Sequence, residues 1–309
     1  MTKAEWTPDE IPDLTGRQAL VTGVTSGIGE HTVLELARKG ARVVMSARSA
    51  PKLHATIDDV KRVLPGADLV PLILDLADLG SIRRAAEEAA SFGPIDILIN
   101  NAGVMATPQR RTVDGFELQF GTNHLGHFAL TGLLFPQLAK ADAARVVTVA
   151  SQAHRMARSV PLTDPRHDQR RYRKWTAYAE SKLANLLFAF ELDRRSRAAG
   201  TNVASMAAHP GYAATNLFSN LNLDGTKADG AIVVGASRLL AQPSAMGAQP
   251  SLMAATMPGL PGGSYVGPRG PFEARGRPTL VTASRTARDE VLAGKLWEVS
   301  EEATRIHFP

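Results

Sequence analysis

The sequence predicts an α/β fold, a doubly wound parallel sheet with helices on both faces. Three observations lead there. Short runs rich in Val, Ile and Leu alternate with longer stretches of helical spacing. The short runs are apolar nearly throughout, as strands covered on both faces are. A glycine-rich turn joins the first run to the first helical stretch.

Taken in order, strands are expected at 19–21, 42–45, 69–74, 95–99, 145–149 and 203–207. Helices are expected between them at 28–39, 51–64, 79–92, 116–140 and 176–199. Strand–helix alternation with right-handed crossovers gives the doubly wound sheet. From residue 208 the texture changes. Residues 210–271 are rich in Gly, Pro, Ser and Ala, with one helical stretch at 231–240. Long irregular segments in compact enzymes usually serve as binding loops or lids. A last strand is expected at 263–267 and a last helix at 287–302, with Leu292, Leu296 and Val299 on one face. All 309 residues read as one domain, with 1–15 an N-terminal extension and 212–262 covering the substrate site.

Composition narrows the function classes. A hydrophobic fraction of 44% and a charged fraction of 21% fit a globular protein and not a disordered or fibrous one. There is no cysteine, which excludes disulfides, thiolate nucleophiles and Cys-type metal sites. The N-terminus shows no basic-then-apolar leader, and no apolar run reaches the length of a membrane span. The expected location is cytoplasmic. The net charge of +5 is small for this length. Much of it gathers at Arg166, Arg170, Arg171, Arg173 and Lys174, either a solvated loop or a docking patch for an acidic group. No nucleic-acid partner is expected.

The turn reads Thr22-Gly23-Val24-Thr25-Ser26-Gly27-Ile28-Gly29. Its glycines let backbone approach a pyrophosphate, and the following helix offers free N–H groups and a positive dipole end. Gly23, Thr25, Ser26, Gly27, Ile28 and Gly29 are therefore candidate cofactor contacts on a Rossmann fold. The second strand is followed by Ala47-Arg48-Ser49, where an NAD-binding chain would carry Asp or Glu for the ribose hydroxyl. Arg48 suits a 2′-phosphate instead, so NADP(H) is favoured over NAD(H). Tyr178 and Lys182, four apart, share one helical face. An ammonium there favours the phenolate and should lower the tyrosine's pKa, making Tyr178 a candidate general acid/base.

Together these residues closely resemble the short-chain dehydrogenase/reductase family, over nearly the whole chain from Leu14 onward. Within it, Asn123–Phe128, Trp175–Lys182 and 296–302 look most like the retinol dehydrogenase-like and protochlorophyllide reductase-like branch. The resemblance implies a catalytic tetrad of Asn123, Ser151, Tyr178 and Lys182. It implies cofactor contacts from Asp75 and Leu76 after the third strand, from Asn101, Ala102 and Gly103 after the fourth, and from Pro210, Gly211 and Thr215 after the sixth. The implied reaction moves a hydride between NADP(H) and a carbonyl or alcohol. Tyr178 carries the proton, Ser151 holds the substrate oxygen, Lys182 tunes Tyr178 and holds the nicotinamide ribose, and Asn123 supports a relay water. A homodimer or homotetramer through the helices carrying Asn123 and Tyr178 is likewise implied. Two departures stand out: no N-terminal anchor like that of many retinol dehydrogenases, and a basic segment lengthening the interval from Ser151 to Tyr178.

Three other functions were weighed. His124 and His127, three apart, have no carboxylate at ligand spacing beside them, so no metal is expected. Ser151 lacks the Gly-x-Ser-x-Gly elbow of a hydrolase. A non-catalytic NADP sensor on the same fold is the remaining alternative, opposed by the intact tetrad. Leu217, Phe218, Leu221, Leu239, Leu240, Met246, Leu252, Met253 and Met257 suggest an apolar pocket and a lipophilic small-molecule substrate.

Overall fold

A computed structural model describes residues 5–212 and 242–309. Eight strands form one sheet: β1 (Gln18–Thr22), β2 (Arg42–Ala47), β3 (Leu69–Ile73), β4 (Ile97–Asn100), β5 (Ala144–Val149), β6 (Val203–Ala208), β7 (Tyr265–Pro268) and β8 (Pro278–Leu280). Their order is β3-β2-β1-β4-β5-β6-β7-β8. All pairs up to β6–β7 are parallel. The chain reverses direction between β3 and β4, and the two halves diverge from the β1–β4 seam. Such a switch point opens a crevice at the carboxyl ends of the strands.

The helices are α1 (Gly27–Arg38), α2 (Ala50–Val63), α3 (Leu79–Ala90), α4 (Leu118–Phe120), α5 (Gly126–Ala139), α6 (Lys174–Ala198), α7 (Ser244–Thr256) and α8 (Glu290–Thr304). One core layer joins α1, α2 and α7 to the sheet through Val33, Leu36, Leu53, Ile57 and Leu252. The opposite layer joins α3, α5, α6 and α8 through Ile82, Leu134, Phe188 and Trp297. The 5–15 segment is not loose: Trp6, Ile11 and Leu14 are buried in the first layer.

Three differences from the expected elements have physical causes. First, the sheet is not wholly parallel, because β8 returns antiparallel to β7, with Val266 opposite Leu280. A three-residue edge strand beginning with Pro carries no apolar run to announce it. Second, the helix expected at 116–140 is interrupted by a π turn, Gly121–Leu125, between α4 and α5. Such bulges often mark functional sites. Third, α8 buries Ala293, Leu296, Trp297 and Ser300, while Leu292 is only partly covered. The expected helix at 231–240 lies outside the described residues.

Candidate active site

At the end of β1 the chain turns through Gly23, whose φ is +72°. A Cβ there would stand 2.8 Å from the Ala102 Cα. At Gly29 a Cβ would stand 2.3 Å from the Gly23 carbonyl oxygen. No other residue lets the turn, the start of α1 and the loop after β4 come this close. Ser26 precedes α1 in an extended conformation and makes no capping hydrogen bond through its side chain. The first-turn N–H groups have no partner inside the helix and can take an anion.

The loop after β4 is bound to this turn. Thr22 Oγ1 accepts the N–H groups of Asn101 and Ala102, both at 2.9 Å. Asn101 Nδ2 donates to the carbonyls of Thr22 at 2.7 Å and Gly23 at 3.2 Å. His127 Nδ1 faces the Asn123 carbonyl at 2.9 Å and therefore carries the ring proton. Its Nε2, 3.0 Å from Thr22 Oγ1, accepts the threonine hydroxyl. Burial holds His127 at about 4, so the imidazole is neutral. His124 turns elsewhere, to Ser300 Oγ at 2.8 Å.

A continuous cleft of about 1330 Å³ runs along the strand ends. At one end it is lined by Ser46, Arg48, Ser49 and Lys52. Asp75, Leu76, Thr25, Ile28 and Gly103 also line it. The Asp75 carboxylate accepts the Ala77 N–H at 2.9 Å. Arg48 and Lys52 are the cations beside the end of β2. These residues fit a nicotinamide dinucleotide: glycines that leave room for its pyrophosphate and a free helix N-terminus to receive it.

At the other end stand Ser151, Tyr178 and Lys182, with Pro210 and Gly211 opposite. Ser151 caps a short 3-10 turn, its Oγ accepting the Ala153 N–H at 3.2 Å. Burial pushes the Tyr178 phenol up to about 12, opposed by a hydrogen bond with Ser151. The Lys182 ammonium is pulled down to about 8, also by burial. It donates to the Val149 carbonyl at 3.0 Å and lies 5.9 Å from the centre of the Tyr178 ring. The lowering of Tyr178 expected from Lys182 is not found: burial raises the phenol, and what opposes the rise is Ser151. The tyrosine is a neutral phenol, suited to giving a proton.

Asn123 does not line the cleft. It sits one layer behind, wholly buried. Its Oδ1 accepts the Val104 N–H at 2.8 Å, and its Nδ2 donates to the Val104 carbonyl and to Ser181 Oγ, both at 2.9 Å. Gly103 packs closely here: a Cβ would stand 3.1 Å from Asn123 Oδ1 and 3.5 Å from Lys182 Nζ. The π turn is what presents this side chain between the β4 loop and α6.

The described part of the expected apolar wall lies elsewhere in the fold. Leu252 and Met253 lie on α7 in the core beneath α1, with Met257 packed on the same layer. They face away from the cleft. Thr215, Leu217, Phe218, Leu221, Leu239 and Leu240 lie outside the described residues. Among the described residues, the apolar side chains of the cleft on the Tyr178 side are Met105, Leu118, Ala153, Met156, Trp175 and Tyr212. Trp175 stands edge-on to Tyr178, ring centres 6.3 Å apart. Met156 and Trp175 flank motif residues, but their apolar types do not tell wall from core until the loops are placed.

The basic segment is anchored to the fold by part of its side chains. Arg170 forms a two-pronged ion pair with Glu180, at 2.7 and 2.6 Å, beside His167. Arg166 stacks over the Phe116 ring. Tyr172 donates to the Thr107 carbonyl at 2.9 Å and accepts from Gln119 at 2.8 Å. The segment is stitched onto α6 between Tyr178 and Lys182, while Arg166, Arg170, Arg171 and Arg173 all keep exposed surface.

Residues 17–163 match the short chain dehydrogenase family. Human retinol dehydrogenase 13 is 39% identical over 239 residues, covering 77% of this chain and 71% of its own. Human retinol dehydrogenase 14 is 36% identical over 306 residues, covering 93% and 85%. Mouse polyprenol dehydrogenase is 36% identical over 307 residues, covering 96% and 86%. An uncharacterized Mycobacterium Paratuberculosis protein of known structure is 44% identical, with a TM-score of 0.82 and 99% of each chain covered. A Beutenbergia cavernae structure, assigned as an NAD(P) dependent gluconate 5-dehydrogenase and holding NADP at low occupancy, is 26% identical, with a TM-score of 0.62 and coverage of 79% and 91%. With these relatives and this geometry, the chain is an oxidoreductase acting on alcohol or carbonyl groups, and it belongs to the short-chain dehydrogenase/reductase family, on its retinol dehydrogenase-like branch.

Proposed function

We propose that this enzyme interconverts a lipophilic carbonyl compound and its alcohol with NADP(H), that Ser151, Tyr178 and Lys182 carry the chemistry, and that Asn123 supports them from behind the cleft. The observation that carries the reading is one cleft with Ser151, Tyr178 and Lys182 at one end and Arg48 and Lys52 at the other, bridged by the Gly23–Gly29 turn. When bound, the reduced cofactor supplies a hydride to the carbonyl carbon. The Tyr178 hydroxyl gives its proton to the carbonyl oxygen, so hydride and proton together complete the alcohol. Ser151 donates a hydrogen bond to the same oxygen and holds it beside Tyr178. Lys182, buried against Val149, offers its remaining N–H donors to the ribose and steadies the phenolate as it forms. Asn123 braces the wall that carries Gly103 and Val104 and holds α6 through Ser181. Alcohol oxidation reverses each step.

The apolar side chains around Tyr178 support a lipophilic substrate, and so do the alcohols named in the relatives, retinol and polyprenol. The cations at Arg48 and Lys52 support NADP(H). On that basis turnover with NADPH should exceed turnover with NADH, and Arg48→Ala should raise KM for NADPH about tenfold with little change for NADH. Equal use of both cofactors by the wild type would remove the phosphate assignment. As to assembly, α8 and the chain end already cover part of the helices carrying Asn123 and Tyr178. Trp297 packs on Phe128 and Phe188, ring centres 5.0 and 5.9 Å apart, and Phe308 packs on Phe128 and Phe135. A homodimer or homotetramer of this chain would join through other surface.

A further inference from the structure

Three loops meet behind the cleft around the Glu273 carboxylate: the turn after Ser151, the segment after β6, and the connection between β7 and β8. Glu273 Oε2 lies 2.9 Å from His209 Nε2 and accepts from Gln152 Nε2 as well, while Oε1 faces Arg155 at 3.6 Å. The Gly211 N–H points at His209 Nδ1, 3.2 Å away, so Nδ1 is unprotonated and Nε2 carries the hydrogen that Glu273 accepts. His209 is therefore neutral, and burial keeps its pKa below the ordinary range. Two further features serve this contact. Gly267 of β7 leaves space for the imidazole, since a Cβ there would fall 2.0 Å from His209 Nε2. Phe272 and Glu273 are consecutive left-handed residues, with φ of +54° and +55°, and neither is glycine. That strain persists only where the surroundings over-determine it. Its result is that Phe272 points to solvent, 94% exposed, while Glu273 points in. The same loop is tied to the Pro210–Gly211 turn by backbone, the Tyr212 N–H donating to Ala274 at 2.8 Å.

We propose that Glu273 is a positioning residue of the active site: through Gln152 and His209 it pins the turn that begins at Ser151 to the Pro210–Gly211 turn. It thereby sets the spacing between the serine that holds the substrate oxygen and the turn that faces the cofactor. Glu273 itself touches neither. The assignment rests on the NADP-dependent reading above.

The test uses the full chain and compares NADPH affinity by fluorescence titration with kcat on one aldehyde substrate. Glu273→Ala should weaken NADPH binding and lower kcat, each by about tenfold. Glu273→Asp keeps the charge but withdraws it by one methylene, and should lose several-fold in both even if the alanine variant does not fold. Glu273→Gln keeps an acceptor for His209 and should recover to within about threefold of the wild type. Phe272→Gly relieves strain beside the carboxylate and should leave both constants unchanged. Glu273→Ala and Gln152→Ala should be non-additive, as members of one contact network are. Wild-type affinity and kcat in Glu273→Asp, or loss of melting temperature alone, would overturn the positioning role. A wild type that binds no NADPH would instead overturn the cofactor reading on which it rests.

Discussion

Tyr178 illustrates what neighbouring side chains add to a residue's chemistry. Its spacing from Lys182 is visible in the sequence and places both on one face of α6. The direction of its pKa shift is not, because that depends on burial: the phenol rises to about 12 and the ammonium falls to about 8. In reduction the reacting form has Tyr178 protonated and Lys182 charged. The group that titrates first on raising pH is therefore Lys182, and kcat/KM for carbonyl reduction should hold level below about pH 8 and decline above it. A pH–rate profile level to pH 10 would contradict this. Arg48 was legible for a similar reason: it directly follows β2. Lys52 was not, because a turn of α2 separates it from Arg48 and only the fold brings both to one end of the cleft.

Among the elements, those that position the site follow from local pattern. Continuous apolar runs marked β1, β2, β5 and β6, and the glycines of the first turn are where backbone contacts exclude any side chain. Gly29→Ala would place a Cβ 2.3 Å from the Gly23 carbonyl. It should weaken NADPH binding by more than tenfold, measured by titration, while circular dichroism shows the sheet and helices retained. The elements that escaped the sequence did so for identifiable reasons. The π turn adds a single residue to a helical period. β8 is too short and too polar to show one. α7 is apolar on several faces, so its Leu252 and Met253 serve a core layer or a pocket wall equally well until α1 is placed against it.

At the scale of the molecule, the two core layers hold titratable groups that the chemistry does not use directly. Burial keeps His124 at about 3 and His127 at about 4, against 6.5 for an open chain. Below pH 6.5 the unfolded chain therefore binds protons that the folded chain excludes, and stability falls as pH falls. At about 1.4 kcal/mol per pH unit, each histidine removes about 2 kcal/mol at pH 5. With His154 at about 4 and His209 also lowered by burial, urea unfolding should show at least about 4 kcal/mol less stability at pH 5 than at pH 7.5. His127→Gln, which carries no titrating ring, should reduce that difference by about 2 kcal/mol. An unchanged midpoint across this range would show that the rings are not held neutral.

The same architecture brings the strand ends, the β4 loop and α6 to one cleft, and the central claim is that Tyr178 is the proton donor there. The most direct measurement is NADPH-linked reduction of a lipophilic aldehyde by the wild type and by Tyr178→Phe, with NADPH binding titrated in both. Binding should agree within about threefold, and kcat should drop by on the order of 10²–10⁴ in the variant. Turnover close to that of the wild type with Phe at 178 would contradict the account.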